Sequence, residues 1–171
     1  MNASSSNVIH FGFADSSLGV VAIARSPKGI CAILLADHRR DLLWELRQQF
    51  PEARLVEDDV TLAGTLAQVV RFVESPTDAL DLPLDPEGTD FQHRVWRALR
   101  EIPSGTTASY ADIARKIDAP KSVRAVAQAC GANKLALAIP CHRVIRSDGA
   151  LSGYRWGEMR KRALLEREAA R

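Results

Sequence analysis

Apolar positions come in short runs through residues 8–36 and then change period. Val8 to Phe13, Leu18 to Ala24 and Gly29 to Ala36 are apolar. Asp15-Ser-Ser17 and Ser26-Pro27-Lys28-Gly29, both turn chemistry, separate them. Three short strands with tight connections predict an antiparallel meander. From residue 38 the spacing turns helical. Leu42, Leu43, Leu46 and Phe50 share a face that Pro51 ends; Leu62, Leu66, Val69, Val70 and Val73 line up on a second helix, with Asp59 or Thr61 as its cap. A sheet with helices on one face makes a two-layer α/β unit. Residues 75–90 then hold three prolines and four aspartates, which reads as a linker. The expected division is an N-terminal α/β domain with its linker over 1–85 and a second domain over 86–171.

The second domain reads as helical. Phe91, Val95, Ala98, Leu99 and Ile102 share a face, with Thr89 or Asp90 as N-cap. Ser109 caps a short helix over Tyr110 to Ile117. After a break at Asp118-Ala-Pro120, another helix covers Ser122 to Ala132. Two short helices joined by a three- or four-residue turn have the helix-turn-helix outline, which packing alone also produces. The second helix presents Arg124 and Gln128 among Ala, Gly and buried Val. A base-reading helix would carry more Asn, Gln or Arg. Small residues permit close approach to a groove while encoding little sequence, and they equally suit a tightly packed core helix. A last helix runs from Glu158 to about Ala170, with Leu164 and Glu168 on one face. An acid near a helix C-terminus is disfavoured by the dipole, which hints at a partner for Glu168.

Composition narrows this only a little. The chain has 171 residues, 46% hydrophobic and 26% charged, so it is globular and long enough for a real core. The net charge of +2 means that any nucleic-acid surface must come from local clustering. From Arg143 onward, eight Lys or Arg (143, 146, 155, 160, 161, 162, 167, 171) face four acids. Three scattered cysteines, Cys31, Cys130 and Cys141, suit a reducing compartment and no disulfide framework. No Cys/His spacing suggests zinc. No apolar run reaches the ~18 residues of a membrane span. The first seven residues lack the charge and apolar core of a signal peptide.

The candidate chemistry lies between Asn133 and Arg146. Pro140 pushes Ile139 out of the helical region, so Cys141 sits on a turn or extended segment after an apolar stretch. An ordinary Cys keeps its proton near neutral pH, with a pKa of about 8.5. His142, Arg143 and Arg146 are expected to favour the thiolate. The bland alternative is a buried core cysteine that happens to have a His neighbour. Cys31, in the third strand, is expected to be of that kind.

The string Pro140-Cys-His-Arg-Val144 resembles the active-site signature of the O6-alkylguanine-DNA alkyltransferases. Further strings fit the same family: Gly29-Ile-Cys-Ala-Ile-Leu-Leu35, Phe91-Gln-x-x-Val-Trp96, Ile102-Pro103, Ser109-Tyr110, Val123-Arg-Ala-Val126, Ala132-Asn133 and Leu151-Ser-Gly-Tyr-Arg-Trp-Gly157. The likeness is densest from Phe91 to Glu168, and strongest to the C-terminal half of the bacterial adaptive-response regulator. That regulator's N-terminal zinc-cysteine module is expected to be absent here.

The resemblance implies a small ribonuclease-H-like α/β domain with an antiparallel sheet, followed by an all-α winged-helix-like domain containing the helix-turn-helix. It implies Cys141 as alkyl acceptor, His142 taking its proton through a water, and Glu168 orienting the imidazole. Asn133 would tie the preceding turn, and Tyr110 would give a proton or hydrogen bond to N3 of the base. Arg124 would fill the stack, with Ala125, Ala127, Gln128 and Ser147 against DNA. Val144, Tyr154, Arg155 and Trp156 would line the pocket, Trp156 restricting large O6 substituents. The implied partner is double-stranded DNA carrying O6-alkylguanine, with O4-alkylthymine as a further candidate, bound through the minor groove with base flipping. The implied protein is cytoplasmic, monomeric, and without metal or cofactor. On this reading the sulfur lies exposed at the floor of a cleft, with the imidazole–carboxylate relay behind it. The competing classes are a non-enzymatic lesion binder, a transcription regulator and a cysteine hydrolase built on Cys141, His142 and Glu168. The presence of Cys141 argues against the first of these.

Overall fold

A computed structural model of the chain describes residues 7–77, 79–151 and 153–170. Residues 1–6, Asp78 of the linker, Ser152 of the Leu151–Gly157 string and Arg171 of the basic C-terminal set lie outside the described residues.

The three apolar runs form β1 (Val8–Ser16), β2 (Gly19–Ser26) and β3 (Gly29–Ala36), paired antiparallel in the order β3-β2-β1. Gly19, with φ of 106°, lets the first connection turn tightly where an L side chain would be strained. A fourth strand, β4 (Arg54–Glu57), was not expected. It lies parallel to β1, with Val8 opposite Arg54, so the sheet is mixed rather than antiparallel. Helix α1 (Arg39–Gln49) connects β3 to β4, and α2 (Asp59–Glu74) follows. The cap of α2 is Asp58, not Asp59 or Thr61: its carboxylate accepts from the Thr61 N–H at 3.1 Å. Leu62, Leu66, Val69, Phe72 and Val73 of α2 are buried. Full burial of each such side chain is worth about 1.5–3 kcal/mol.

The proline-rich segment does not hang free. Leu80 and Leu82 are buried, and Ile30 and Leu84 form an isolated parallel bridge, with Ile30 N–H donating to Pro83 O at 2.8 Å. Helix α3 (Asp90–Arg100) opens with a capping box of Thr89 and Gln92. Strand β5 (Ala108–Ser109) leads into α4 (Tyr110–Lys116), which Ser109 and Asp112 cap in the same way. Helix α5 (Val123–Gly131) follows. Residues 117–122 separate α4 from α5, a longer connection than a three- or four-residue turn. Asp118 takes a left-handed conformation in it (φ 58°), and the Ile117 carbonyl accepts from Arg94. The chain ends in β6 (Val144–Ile145) and α6 (Glu158–Ala169). Strands β5 and β6 pair in parallel, so the second half is helical but not all-α.

One continuous set of buried side chains runs through both halves. The join is made at the edge of β3. Ile33 N–H donates to Lys134 O at 2.8 Å, and Ala136 N–H donates to Ile33 O at 3.0 Å. The segment leading to Cys141 is thereby added as a short parallel bridge to the N-terminal sheet.

Candidate active site

The segment after α5 is tightly wound. Leu137 is held at φ 73°, a left-handed conformation that costs a non-glycine residue about 1–2 kcal/mol. Backbone bonds from Ala138 to Ala136 O (2.8 Å), Ile139 to Leu135 O (3.0 Å) and Cys141 to Ile139 O (2.7 Å) hold it there. Cys141, His142 and Arg143 then make a single 3-10 turn, and all three are buried. Asn133, 1% exposed, ties the two ends together. Its Oδ1 accepts from Leu135 N–H at 2.9 Å, and its Nδ2 lies 3.0 Å from Ile139 O and 3.3 Å from Cys141 Sγ.

Behind the thiol, His142 Nε2 is 2.8 Å from Glu168 Oε1. A carboxylate partner makes Nε2 the protonated nitrogen, leaving Nδ1 as the lone pair. Nδ1 is buried and has no hydrogen-bond partner among the described residues. Arg143 grips the same carboxylate: Nε is 3.1 Å from both oxygens and Nη2 is 2.8 Å from Oε1. Its Nη1 donates to Ile102 O, just beyond α3, at 2.8 Å. Glu168 thus has two cation-capable partners and faces inward from the last turn of α6.

Burial pushes the Glu168 carboxyl up, but hydrogen bonds from His142 and Arg143 override it and hold the group down at about 2. Burial also depresses His142, with Arg143 and Lys161 acting the same way against the pull of Glu168. Both shifts have the same consequence. A depressed folded pKa contributes stability above the unfolded value and loses it as pH falls. Acid should therefore weaken the fold below the ordinary His value of 6.5, and further between the ordinary Glu value of 4.5 and about 2. Urea midpoints across that range, compared with Glu168→Gln, check this; equal acid slopes in the two proteins would remove Glu168 as a source.

The thiol departs from expectation in two ways. Cys141 is 5% exposed rather than open at the floor of a cleft. Its pKa is raised, not lowered, because burial outweighs the favourable groups. Those groups are the Asn133 amide, Lys161, the backbone at Cys141 and Arg155, and not the expected His142, Arg143 and Arg146. Arg143 is engaged by Glu168, while Arg146 is exposed and paired with Asp148 at 3.4 Å.

Lys161 was overlooked in the sequence. It is fully buried on α6 and donates to Val144 O at 2.6 Å. Its charge favours the Cys141 thiolate, as Coulomb's law requires of a buried cation nearby. Spacings of three and four place Lys161, Leu164 and Glu168 on one face, a signal that was available.

The expected pocket residues gather around the same point. Val144 is buried and pairs with Ala108. Tyr154 and Trp156 are buried and meet edge to face, 5.3 Å apart. The Tyr154 hydroxyl and the Trp156 indole N–H have no partner among the described residues. Arg155 is committed elsewhere, to Glu45 at 2.9 Å and Asn133 O at 3.1 Å, so it crosses between the halves. Tyr110 is half-buried; burial and the nearby Cys130 and Cys141 push its hydroxyl up to about 12. Cys31 is buried in β3, with its thiol also pushed up to about 12 by burial. Among the expected DNA contacts, Arg124, Gln128 and Ser147 are exposed, and Ala125 and Ala127 are partly so. Val123, taken with the buried valines of α5, is instead 38% exposed.

No group of three or more metal-ligating side chains occurs among the described residues, and no helix among them is long and apolar enough to cross a membrane.

Comparison with known proteins agrees across the chain. Residues 90–170 match the family model described as 6-O-methylguanine DNA methyltransferase, DNA binding domain. The chain is 51% identical over 161 residues to the bifunctional transcriptional activator/DNA repair enzyme Ada of Escherichia coli, covering 94% of this chain and 46% of that protein. It thus spans just under half of that relative. It is 42% identical to the inducible methylated-DNA–protein-cysteine methyltransferase of Bacillus subtilis, covering 85% of this chain and 82% of the relative. The crystal structure of Mycobacterium tuberculosis OGT in complex with DNA superposes with a TM-score of 0.80 at 37% identity, covering 94% and 93% of the two chains.

Proposed function

Since the chain belongs to the 6-O-methylguanine DNA methyltransferase family, we propose that it repairs DNA by direct reversal, moving the alkyl group of O6-alkylguanine onto Cys141. The observation that carries this is the buried Cys141–His142–Glu168 constellation with Asn133 on the sulfur. A nucleophile, a base beside it and a carboxylate orienting that base form the general arrangement for covalent chemistry.

The Cys141 thiol gives its proton, through a water, to His142 Nδ1. The sulfur attacks the alkyl carbon, the S–C bond forms and the C–O6 bond breaks with its electron pair going to guanine. Tyr110 hydrogen-bonds N3 and supports departure of that anion. Lys161 and Asn133 stabilise the thiolate that burial disfavours. Displacement at an sp³ carbon needs no oxyanion hole. The thioether product does not hydrolyse, so one chain serves one lesion.

The base must leave the helix to reach the sulfur, at a cost of a few kcal/mol that is smaller for a mispaired base. Burial of the thiol means that the surrounding side chains must part to admit it. Tyr154 OH and Trp156 Nε1 support this reading. A buried polar atom without a partner costs about 1–3 kcal/mol, and the edge of a purine would relieve both. We place α5 in the minor groove, with Arg124 filling the vacated stack, Ala125 and Ala127 against the backbone, and Gln128 and Ser147 as further contacts. The finer assignments belong to the same proposal: a ribonuclease-H-like domain over 1–85, a winged-helix-like domain over 86–171, a monomer acting in the cytoplasm, and O4-alkylthymine as a further substrate.

The test is to incubate the protein with duplex carrying O6-methyl-labelled guanine and to weigh its peptides. One methyl on the Cys141 peptide supports the proposal. Binding without transfer would mean a lesion binder, and released label with turnover would mean a hydrolase. Arg124→Ala should slow repair in duplex by about tenfold, the equivalent of ~1.4 kcal/mol of lost stacking contact. Reaction with free O6-methylguanine should be nearly unchanged. Equal slowing in both assays would remove the stack-filling role.

A further inference from the structure

We propose that Arg143 is a positioning residue that fixes the resting charge of His142: by binding both oxygens of Glu168, its guanidinium keeps the imidazole neutral and able to accept a proton. This rests on the reading of His142 as the base.

Three ionisable side chains meet in the core. Arg143, Glu168 and His142 are 1%, 3% and 0% exposed. Each uncompensated ion in such a place is penalised by several kcal/mol, so the set favours zero net charge. Arg143 is permanently cationic. With Glu168 ionised the two cancel, and a proton on His142 would leave the set positive. Remove the guanidinium and the preference inverts. The pair then reaches neutrality with an imidazolium against the carboxylate, and an imidazolium has no lone pair to offer. The other charged group acting on the ring is Lys161 from α6; a second buried cation opposes protonation further.

Geometry makes this a fixed arrangement. The guanidinium is held at its far end by Ile102 O at 2.8 Å and meets the carboxylate side-on through Nε and Nη2. Oε1 carries both Arg143 Nη2 and His142 Nε2, so the guanidinium fixes the oxygen that the ring donates to and favours the Nε2–H tautomer. A lysine could supply the charge without the fork.

The test is ¹⁵N NMR of the histidine rings in the full chain without DNA, with His142→Gln to assign the signal among four histidines. The parent protein should show the neutral Nε2–H form throughout the neutral range. Arg143→Met should show an imidazolium near pH 7. Its transfer to methylated duplex should fall by about 100-fold there, the usual weight of a lost general base, and recover as pH rises. Arg143→Lys should keep the ring neutral. Arg143→Met with Glu168→Gln removes both charges and should restore the neutral ring. An imidazolium in the parent near pH 7 overturns the proposal whether or not any variant folds. So does a folded Arg143→Met protein with a neutral ring and an unshifted pH profile, which is what a merely structural arginine would give. If His142→Gln transfers at the parental rate, His142 is not the base, and the ring measurements still decide what Arg143 does to it.

Discussion

Cys141→Ala is expected to bind alkylated duplex as the parent does and to transfer nothing. The substitution deletes one atom from a buried site. By comparison with other truncations of that size, the loss of stability should be about 1–2 kcal/mol. Asn133 keeps Ile139 O and Leu135 N–H as partners when the sulfur is gone, so the segment stays tied. What disappears is the proposed acceptor. Cys130 and Cys31 are free and buried, with thiols pushed up by burial. Mass spectrometry after incubation with methylated duplex should show no added methyl, while gel-shift affinity stays within about twofold, a difference of ~0.4 kcal/mol. A methyl on either remaining cysteine would place the acceptor elsewhere.

Asn133→Ala carries the next largest effect, on stability and reactivity together. The side chain serves three partners from within the core. Removing it leaves the buried Leu135 N–H unpaired, at about 1–3 kcal/mol, and takes one of two donors from Ile139 O, which keeps Cys141 N–H, so a total near 2–4 kcal/mol is expected. It also removes the amide that favours the Cys141 thiolate. A hydrogen bond to a charged group is worth about 1.5–3 kcal/mol, which corresponds to a ten- to hundredfold slower transfer. Asn133→Asp separates the two contributions. Its oxygen can still accept from Leu135, while its charge opposes the thiolate. The rate should fall at least as far as in Asn133→Ala. Urea midpoints read the first contribution, and the pH dependence of Cys141 alkylation reads the second. A thiol that titrates alike in all three proteins would make Asn133 purely structural.

Much of this site could be read from residue order because its chemistry is local. Pro140 through Val144 is contiguous, and the helix capping residues Thr89 and Ser109 lie next to the helices they start. Glu168 stood out because its place on the helix was electrostatically unfavourable without a partner. What escaped depends on distance in the chain. Strand β4 is four residues long with both ends exposed, and its partner β1 lies some forty-six positions earlier, Val8 against Arg54. Prolines marked 75–90 as a connection, yet they say nothing of Leu80 and Leu82 being buried beside the sheet. Arg143 was counted as one more positive charge near the thiol. Its charge is engaged by a carboxylate twenty-five residues on. Lys161 sat among Arg160 and Arg162, where a basic run reads as surface, and only its neighbours Leu164 and Glu168 marked the inward face. The sulfur is buried among groups far apart in the chain, Tyr110, Tyr154 and Lys161 among them, which no single stretch could reveal.

Under the proposed transfer, in which each chain acts once, that seclusion has a further meaning. A sulfur open to water would meet peroxide and stray electrophiles throughout the life of the chain, and each encounter would inactivate a molecule irreversibly or nearly so. Low exposure and a retained proton both slow such side reactions. The same closed wall that obliges an incoming base to push its way in keeps the molecule unspent until one arrives.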